Sequence, residues 1–479
     1  MKGLRNLLLI AGIIVLESGL VLSQIVTNVA NFDGINGGNP KATTLVQGLD
    51  GKLYGTTWEG GANSKGVVFK LSGATITPIH TFSGVAPDGS FPNAGLVLGT
   101  NGKFYGTTEG AAGIVFSITA AGVFKTLHGF TGADGSAPQG PLMQATNGAF
   151  YGTTEAGGGG AAGGTFFKMT ASGAFKKLYT FGAPAGDGFF SFAGVAQGLD
   201  GKFYGTTVAG GGNPCNCGSV FRVTGGGIEN VLFPFGTGGS FLDGSSPTGT
   251  LVRGPDGNFY GTTTAGGQQF GGSGTVFKIT PAGALTTLHA FGGYPGDGSI
   301  PYAGLTFGSD GTLYGTTFQG GSQAAACNCG TLFQIATDGT YRLLYSFTNG
   351  SDGRNPYGGV FQATDGIFYG TTIAGGPNKN ATCFYDSTQT CGTVFALSVG
   401  LGPMVIDLPA AAKVGKTVKI LGNNLGSATA VSFNGIPAAF VVVSSTQIKT
   451  SVPVGATTGH VTVTTSTGTL SSNVPFRVL

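Results

Sequence analysis

Short apolar or alternating runs, separated by turns rich in glycine, recur along most of the chain. One unit shows the pattern in full, and its four runs are Ala94–Thr100, Lys103–Thr108, Gly113–Thr119 and Val123–Phe130. Runs of this length between turn residues are typical of β-strands. The Asn101-Gly102 pair between the first two runs tolerates the positive φ that a two-residue hairpin needs. The pattern therefore predicts four antiparallel strands in each unit.

The second run of this unit contains Tyr-Gly-Thr-Thr preceded by Leu or Phe, and the motif occurs seven times. The copies are Leu53–Thr57, Phe104–Thr108, Phe150–Thr154, Phe203–Thr207, Phe259–Thr263, Leu313–Thr317 and Phe368–Thr372. Their tyrosines are separated by 51, 46, 53, 56, 54 and 55 residues. Short strands repeated at such a period are typical of a propeller or a solenoid. Four strands in each of seven repeats predict an all-β fold, a seven-bladed β-propeller with four-stranded blades.

The two ends of the repeat region complement each other. The seventh repeat has three strand patterns, ending at Gly392–Ser398, and then runs into Gly400–Pro403 without a fourth. Ile25–Phe32 precedes the first repeat and resembles an isolated fourth strand. We therefore predict that Ile25–Phe32 pairs with Gly392–Ser398 and closes the ring, because closure removes a free sheet edge. An open solenoid would instead need capping repeats.

The N-terminus has the pattern of a secretory signal. Lys2 and Arg5 precede the apolar run Leu7–Leu16, and small residues around Val21–Ser23 offer a cleavage site. An uncleaved anchor is the alternative, but the run is well short of the roughly 20 residues of a membrane span. We expect a protein that is secreted or held at the cell surface or in the periplasm of a bacterium, with no membrane span after cleavage.

Six cysteines fall at the same place in three repeats, just before the third strand. They are Cys215, Cys217, Cys327, Cys329, Cys383 and Cys391. Bridging within each loop is the predicted arrangement, and it fits an oxidising compartment. Zinc is the alternative, but Cys-Asn-Cys is not a ligand spacing and no histidine lies nearby in sequence. We therefore expect disulfides and no metal.

Composition narrows the class of protein further. Glycine accounts for 93 of 479 residues, yet 41% of residues are hydrophobic, so the chain is neither collagen-like nor disordered. The formal net charge is +3 and no Lys/Arg cluster exists. The sequence therefore lacks the basic patch that nucleic-acid binding requires, and we expect no nucleic-acid partner.

Strand direction predicts which loops share one face. In an antiparallel blade, the second-to-third loops and the loops between repeats lie at the same end. Long and variable loops of this kind are where binding sites concentrate. Their aromatic and acidic side chains are the candidate ligand-binding residues: Trp58, Glu59, Glu109, Glu155, Phe318 and Tyr385. The aromatic rings could form platforms for a glycan or peptide, or simply pack loops against neighbouring blades.

An Asp-Gly-x-x-Pro pattern recurs between the repeats, lacking its proline in one copy. Its acids are Asp88, Asp134, Asp187, Asp243, Asp297 and Asp352. A ring of carboxylates near a central channel could hold Ca²⁺ or sugar hydroxyls. We interpret these aspartates as structural, because an Asp in a turn accepts hydrogen bonds from nearby backbone N–H groups. The repetition of the pattern from blade to blade also favours a structural role. No cofactor is expected, and no residue is assigned a catalytic role.

The whole pattern, from Phe-Tyr-Gly-Thr-Thr through Gly-Thr-Val-Phe-Lys to Asp-Gly-x-x-Pro, resembles the tandem GloVer (Gloeo-Verruco) repeat family. The resemblance implies an exported bacterial surface protein and carries no assigned activity. After Gly402 the period stops, and Gly422–Leu425, Phe433–Gly435 and Val452-Pro453 resemble an IPT/TIG immunoglobulin-like domain. Members of that family serve mainly as spacers and interaction modules.

These observations divide the chain into a signal peptide at 1–23, a propeller at 24–400 and an immunoglobulin-like domain at 401–479. The leading functional interpretation is non-catalytic binding or adhesion to an extracellular glycan or protein through the variable-loop face. Two alternatives stay open. One is a hydrolase or lyase acting at the central channel with a carboxylate pair. The other is a purely architectural component of the cell envelope.

Overall fold

The computed structural model describes residues 24–159, 163–212, 215–237, 241–268, 272–325, 327–381, 383, 385 and 387–479. The predicted signal peptide at 1–23 lies outside this range. Regular structure in the described residues is almost entirely β, with two short 3-10 helices at Gln323–Ala325 and Leu425–Ser427. No helix among these residues has the length and apolar character that a membrane span needs.

Residues 25–398 form seven four-stranded antiparallel sheets in the described part of the chain, numbered here by the copy of Tyr-Gly-Thr-Thr that each contains. The first strands are Val46–Gln47, Val97–Leu98, Met143–Gln144, Ala196–Gln197, Val252–Arg253, Thr306–Phe307 and Phe361–Gln362. The second strands are Leu53–Thr57, Phe104–Thr108, Phe150–Thr154, Phe203–Thr207, Phe259–Thr263, Leu313–Thr317 and Phe368–Thr372. Each second strand is the motif itself.

The outer half of each sheet completes the unit. The third strands are Val67–Ser72, Ile114–Ile118, Thr165–Met169, Ser219–Val223, Thr275–Ile279, Thr331–Ile335 and Thr393–Ser398. The fourth strands of sheets one to six are Thr75–Thr81, Phe124–Gly129, Phe175–Thr180, Glu229–Pro234, Leu285–Ala290 and Tyr341–Ser346. Two small ribbons pair Gly188–Phe189 with Ala209–Gly210 and Asp297–Ser299 with Gln319–Gly321.

The seventh sheet takes its fourth strand from the beginning of the chain. Ile25–Asn31 pairs antiparallel with Thr393–Ser398, and its register runs from Ile25 opposite Ser398 to Asn31 opposite Thr393. Phe32 follows the strand and is fully buried, with its ring 5.2 Å from that of Phe69 in the first sheet. The predicted pairing of the two ends is confirmed.

One hydrogen bond near the first strands recurs at four of the seven boundaries between sheets, including the boundary of the last sheet with the first. In sheet seven, the Thr364 amide donates to the side-chain oxygen of Gln47 in sheet one, at 3.0 Å. Sheets six and seven are joined in the same way by the Ser309 amide and Gln362, at 2.8 Å. The last sheet therefore contacts the first as consecutive sheets contact one another, and the series of contacts is cyclic.

The tyrosine and glycine of the motif pack the sheets against one another. The Tyr54 hydroxyl donates to Asp50 of its own hairpin at 2.8 Å, and its ring lies 4.2 Å from that of Phe104 in the next sheet. A Cβ on Gly55 would lie 2.7 Å from the Phe69 ring, so this position must be glycine for the ring to lie over the backbone. The bond between the motif tyrosine and the hairpin Asp or Asn, and the contact of the motif glycine with a Phe ring, recur in all seven sheets, which explains why the motif is so constant.

The two threonines make separate connections. The Thr56 hydroxyl donates to the Ala94 carbonyl of the next sheet at 2.9 Å, which links neighbouring sheets. The second threonine stays within its own sheet, as in the 2.9 Å contact between the hydroxyls of Thr263 and Thr275. Both threonine positions are buried throughout the cycle, and their hydroxyls have partners inside the protein except at Thr107, Thr108 and Thr206, for which the described residues provide none.

The C-terminal domain is a sandwich of two four-stranded sheets. One contains Ile406–Leu408, Thr417–Leu421, Gln447–Ser451 and Phe440–Ser444. The other contains Ile436–Pro437, Ala430–Phe433, Val461–Thr465 and Gly468–Ser471, and Ala411–Ala412 pairs in parallel with Arg477–Val478. Apolar side chains on alternate positions of both sheets fill the space between them.

This domain rests on the first-to-second hairpins of the repeat region. The Lys419 ammonium donates to the Thr100 carbonyl at 2.7 Å, and the Thr446 hydroxyl donates to the Leu49 carbonyl at 2.9 Å. Leu421 is buried in a cluster with Tyr54 and apolar residues of the second sheet. The face that carries the variable loops lies at the opposite ends of the strands and is not covered by this domain.

Candidate functional site

A repeated backbone link builds the variable-loop face. The loop before each first strand contains one residue in the left-handed conformation, with φ between 50° and 62°. These residues are Asn39, Phe91, Ala137, Phe190, Ser246, Ile300 and Asn355. Its carbonyl accepts the amide N–H of the residue after Thr-Thr, as in the 3.0 Å bond from Phe318 to Ile300. Its own N–H donates to the loop of the preceding sheet, as from Ile300 to Ser273 at 2.7 Å. Such a backbone is costly for bulky residues and persists because both bonds fix it.

The link places two sets of side chains beside each other. The residues two places after the left-handed residue form the inner positions: Lys41, Asn93, Gln139, Phe192, Thr248, Tyr302 and Tyr357. The residues directly after Thr-Thr form the outer positions: Trp58, Glu109, Glu155, Val208, Thr264, Phe318 and Ile373. Residues from six of the seven sheets line one cavity of about 280 Å³, so it lies at their common centre. We call it the central cavity.

One side of this region is polar. The Trp58 indole N–H donates to Glu109 Oε1 at 2.6 Å, which joins outer positions of sheets one and two. The Lys41 ammonium lies 4.9 Å from the centre of the Trp58 ring, within range of a cation–π interaction. The Phe91 ring lies 5.4 Å from the Trp58 ring on the same sheet boundary. The indole is therefore held in a fixed orientation with part of its surface accessible.

Glu155 is the most perturbed acid of this polar side. The amide of Gln139, which lines the central cavity, donates to Glu155 Oε2, and Gln139 Oε1 accepts from the Asn93 amide at 2.8 Å. Burial raises the pKa of Glu155, the charge of Glu109 raises it further, and the Gln139 bond and Lys41 oppose the shift. The other amide atom of Asn93, Oδ1, is buried and has no hydrogen-bond partner in the described part of the protein.

The other side of the region is aromatic. The rings of Tyr302 and Tyr357 stack with centres 4.3 Å apart and planes 8° apart, and both residues line the central cavity. Phe318 packs its edge against both rings, at 5.3 and 5.7 Å, and lies 6.5 Å from the ring of Tyr385. Burial and the neighbouring tyrosines raise the pKa of Tyr357, and Glu109 adds to the shift. Its hydroxyl is therefore a neutral donor at physiological pH.

The structure thus divides the candidate ligand-binding residues into groups. Trp58, Glu109 and Glu155 lie together, and Phe318 and Tyr385 lie in the aromatic group. Glu59 belongs to neither, because it is only 4% exposed and its backbone pairs with Gly38. Sequence reasoning missed the inner positions, above all Lys41, Gln139, Tyr302 and Tyr357. The signal was available, since the residue after the repeated proline differs in nearly every copy.

The six repeated aspartates lie beside the outermost strands and not at the central cavity. Asp88 accepts the Ser83 amide at 2.6 Å and the His80 ring nitrogen at 2.7 Å. The other members, Asp134, Asp187, Asp243, Asp297 and Asp352, likewise accept an amide N–H from their own loops. These are the turn contacts that the structural interpretation requires. Nowhere in the described ranges do three or more histidine, cysteine or acidic side chains converge as a metal site would require.

Three disulfides hold loops on the same face. They join Cys215 to Cys217, Cys327 to Cys329, and Cys383 to Cys391, each within one loop as predicted. In each bridge the carbonyl of the second cysteine accepts the amide N–H of the left-handed residue of the following sheet. These bonds run from Ser246 to Cys217, from Asn355 to Cys329 and from Asn39 to Cys391, at 2.8, 2.7 and 2.9 Å. The bridges therefore secure the loops that position sheets five, seven and one.

Comparison with solved structures shows likeness of fold at low identity. A fungal alcohol oxidase of the AA5 family, in complex with copper, is 13% identical with a TM-score of 0.51, covering 96% of this chain and 99% of that one. The extracellular domain of BT3049 from B. thetaiotaomicron, described as a hybrid two component system, is 12% identical with a TM-score of 0.48. The alignment with BT3049 covers 90% of this chain and 52% of the BT3049 chain. No curated protein matches the chain.

Family models identify both parts of the chain. The model of the Gloeobacter/Verrucomicrobia repeat matches three overlapping segments, residues 20–215, 108–326 and 270–404. The IPT/TIG domain model matches residues 406–478. Together these matches cover the seven sheets and the C-terminal sandwich. The chain therefore belongs to the Gloeobacter/Verrucomicrobia repeat family and carries an IPT/TIG domain after its repeats.

Proposed function

We propose that residues 24–400 form a closed seven-bladed β-propeller that binds a glycan, without catalysis, at the opening of its central cavity. The seven described sheets and their cyclic contacts support this architecture. The observation that carries the functional proposal is the loss of repeat symmetry at the inner and outer positions. At the Tyr, Gly and Thr positions of the motif the repeats preserve one residue type for packing, whereas here a carboxylate and amide group faces stacked aromatic rings.

A glycan matches both sides of the opening. Sugar rings present apolar C–H faces, which pack on aromatic rings such as Tyr302 and Tyr357. Their hydroxyls both donate and accept, so carboxylates, amides and the Lys41 ammonium can fix their orientation. The unpartnered oxygen of Asn93 adds a buried acceptor beside Gln139. The small net charge of the polar side, two carboxylates and one ammonium, favours a neutral or weakly charged sugar.

The experiment is a glycan-array screen of the mature protein followed by calorimetric titration with the best oligosaccharide. Trp58→Ala and Tyr302→Ala should each weaken binding about tenfold, because each removes one aromatic platform. Tyr294→Ala is the matched control, since Tyr294 is an exposed aromatic of another loop and should leave affinity unchanged. No binding to any glycan, or equal loss in the control, would contradict the proposal.

The same assay separates binding from hydrolysis. A hydrolase with a carboxylate pair needs one carboxyl group of raised pKa to act as the acid, and Glu155 beside Glu109 has this property. The hydrolase alternative would be favoured if the protein released reducing ends from the bound oligosaccharide and if Glu155→Gln abolished this release without changing the affinity. Binding without release is the expected result.

We also propose that the protein acts outside the cytoplasm. Three intra-loop disulfides in the described residues support this location, because such bridges persist in oxidising compartments. The N-terminal signal pattern points the same way. Equal amounts of the protein in the cytoplasm and in the envelope and medium fractions would contradict export.

A further inference from the structure

We propose that the cleft between the repeat region and the IPT/TIG domain binds an oxyanion through Arg253 and Arg477. This cleft, of about 360 Å³, lies on the hairpin face, at the opposite ends of the strands from the proposed glycan site. Arg253 ends the first strand of sheet five, and Arg477 lies in the last strand of the chain. Both arginines line the cleft, so each domain contributes one of them.

Neither guanidinium group forms an ion pair with an acidic side chain of the described residues. Both arginines line the same cleft, and burial together with the charge of Arg477 lowers the pKa of Arg253. Among the described residues, the ion pairs are three His–Asp contacts and Lys202–Asp200, and none includes either arginine. Half-buried charges without a counter-charge are costly. An oxyanion between them would offset this cost, since a guanidinium donates two parallel N–H bonds to one anion.

Apart from Asp407, the described residues of the other walls add no acidic side chain and little spare hydrogen-bonding capacity. Gln144 accepts the Thr100 amide at 2.8 Å and donates to the Gly148 carbonyl at 3.0 Å. Gln197 is engaged in the same way by Thr146 and Gly201. Lys419 donates to the carbonyl of Thr100, another lining residue, and so brings a third cation to the rim. The arginines are therefore the donors that remain for a ligand.

One carboxyl group, that of Asp407, lies in the wall. Asp407 is 7% exposed, and both of its carboxyl oxygens are buried beside Ser472. Burial raises the pKa of Asp407 to about 8, so the group is mainly protonated at pH 7 and does not neutralise the arginines. A protonated carboxyl is a donor. It complements an oxyanion where a carboxylate would repel it.

Titration of the full mature chain with inorganic phosphate tests the site, against chloride at equal ionic strength. We expect a saturable rise in Tm with phosphate. Arg253→Gln and Arg477→Gln should each weaken phosphate binding at least tenfold. Arg222→Gln is the matched control, because Arg222 is also half-buried but lies on the third strand of sheet four, and it should leave affinity unchanged.

A parallel titration with glucuronate identifies the source of the oxyanion. Binding of glucuronate alone, with the same sensitivity to the two arginine variants, would assign the site to a carboxylate ligand. Arg253→Lys controls for misfolding, because it keeps the positive charge but cannot donate two parallel hydrogen bonds to one anion. It should bind the anion more weakly than the wild type and have the same Tm in chloride. Failure of both anions to bind, or equal loss in Arg222→Gln, would overturn the proposal without affecting the glycan site.

Discussion

Glu229 occupies a position that holds an aromatic ring in sheets two, three and six. Phe124 and Phe175 stack on histidines of the preceding sheet, as in the 3.9 Å contact of Phe124 with His80. Glu229 instead lies against Tyr179, whose hydroxyl donates to Asp187 at 2.9 Å and to Glu229 at 3.5 Å. Burial, with the nearby charge of Asp187, raises the pKa of Glu229 to about 8.

This raised pKa predicts lower stability at alkaline pH. The folded protein keeps the Glu229 proton up to about pH 8, whereas the unfolded chain loses it near pH 4.5. Between those values the unfolded state binds fewer protons, so the free energy of unfolding falls as pH rises. Glu229→Gln should reduce this fall by roughly 1 kcal/mol between pH 5 and 8, measured by urea unfolding; the part due to Asp407 remains.

Asp338→Asn is the control for this change. Asp338 lies in an exposed turn, so its replacement should leave the pH dependence between 5 and 8 unaltered. An unchanged slope in Glu229→Gln would show that Glu229 is ionised in the folded protein at neutral pH.

The motif glycines give a second prediction at the scale of single residues. A Cβ on Gly106 would lie 2.6 Å from Phe116 Cζ and 2.8 Å from Leu96 Cδ2. Gly106→Ala should therefore lower the free energy of unfolding by about 1–3 kcal/mol through overpacking. Gly129→Ala, in the fourth strand of the same sheet, places its Cβ in open space and should cost far less. Equal destabilisation by both variants in urea unfolding would refute the packing argument.

At the scale of the element, the closing strand should contribute strongly to stability. Phe32→Ala removes a fully buried ring packed on Phe69, and losses of about 3–5 kcal/mol are typical of such changes. Ile25→Ala lies at the other end of the same segment, where the side chain is 52% exposed, and it should cost about 0.5 kcal/mol or less. Unfolding of the two variants in urea measures the difference. A small effect of Phe32→Ala would mean that the seventh sheet does not depend on its borrowed strand.

The strands were predictable from sequence to different degrees. The second strand matches the motif, and the third and fourth were predicted within about a residue at each end. The first strand was predicted as Ala94–Thr100, but only Val97–Leu98 pairs within the sheet. The reason is that its ends bond to neighbours: Ala94 accepts the Thr56 hydroxyl of sheet one, and Thr100 donates to Gln144 of sheet three. Alternation of residues within one strand cannot reveal contacts between sheets.

The candidate site was only partly predictable for a related reason. Strand direction correctly placed Trp58, Glu109 and Glu155 on one face, because each follows a second strand. The inner positions were missed because they lie in the loops between repeats and not directly after a predicted strand. Their proximity to the outer positions depends on a left-handed residue such as Phe91 or Ile300, a conformation that the sequence does not suggest for a bulky side chain.

The whole molecule presents two unlike ends. At one, variable loops surround the central cavity, and three disulfides secure them. At the other, the IPT/TIG domain contacts the hairpins through Lys419, Thr446 and Leu421. The sequence predicted both domains and their order but not this contact, because the residues that form it are ordinary surface residues of each domain. Under our proposals, each end binds a ligand of different chemistry.

The pairing of Ile25–Asn31 with Thr393–Ser398 also dictates an order of events during biogenesis. Ile25–Asn31 leaves the ribosome about 360 residues before its partner strand and stays unpaired until then. A contact between positions so distant in sequence forms slowly. During that interval an apolar edge is available to chaperones and proteases. The protein should thus acquire its protease resistance late and abruptly, when the two ends of its repeat region meet.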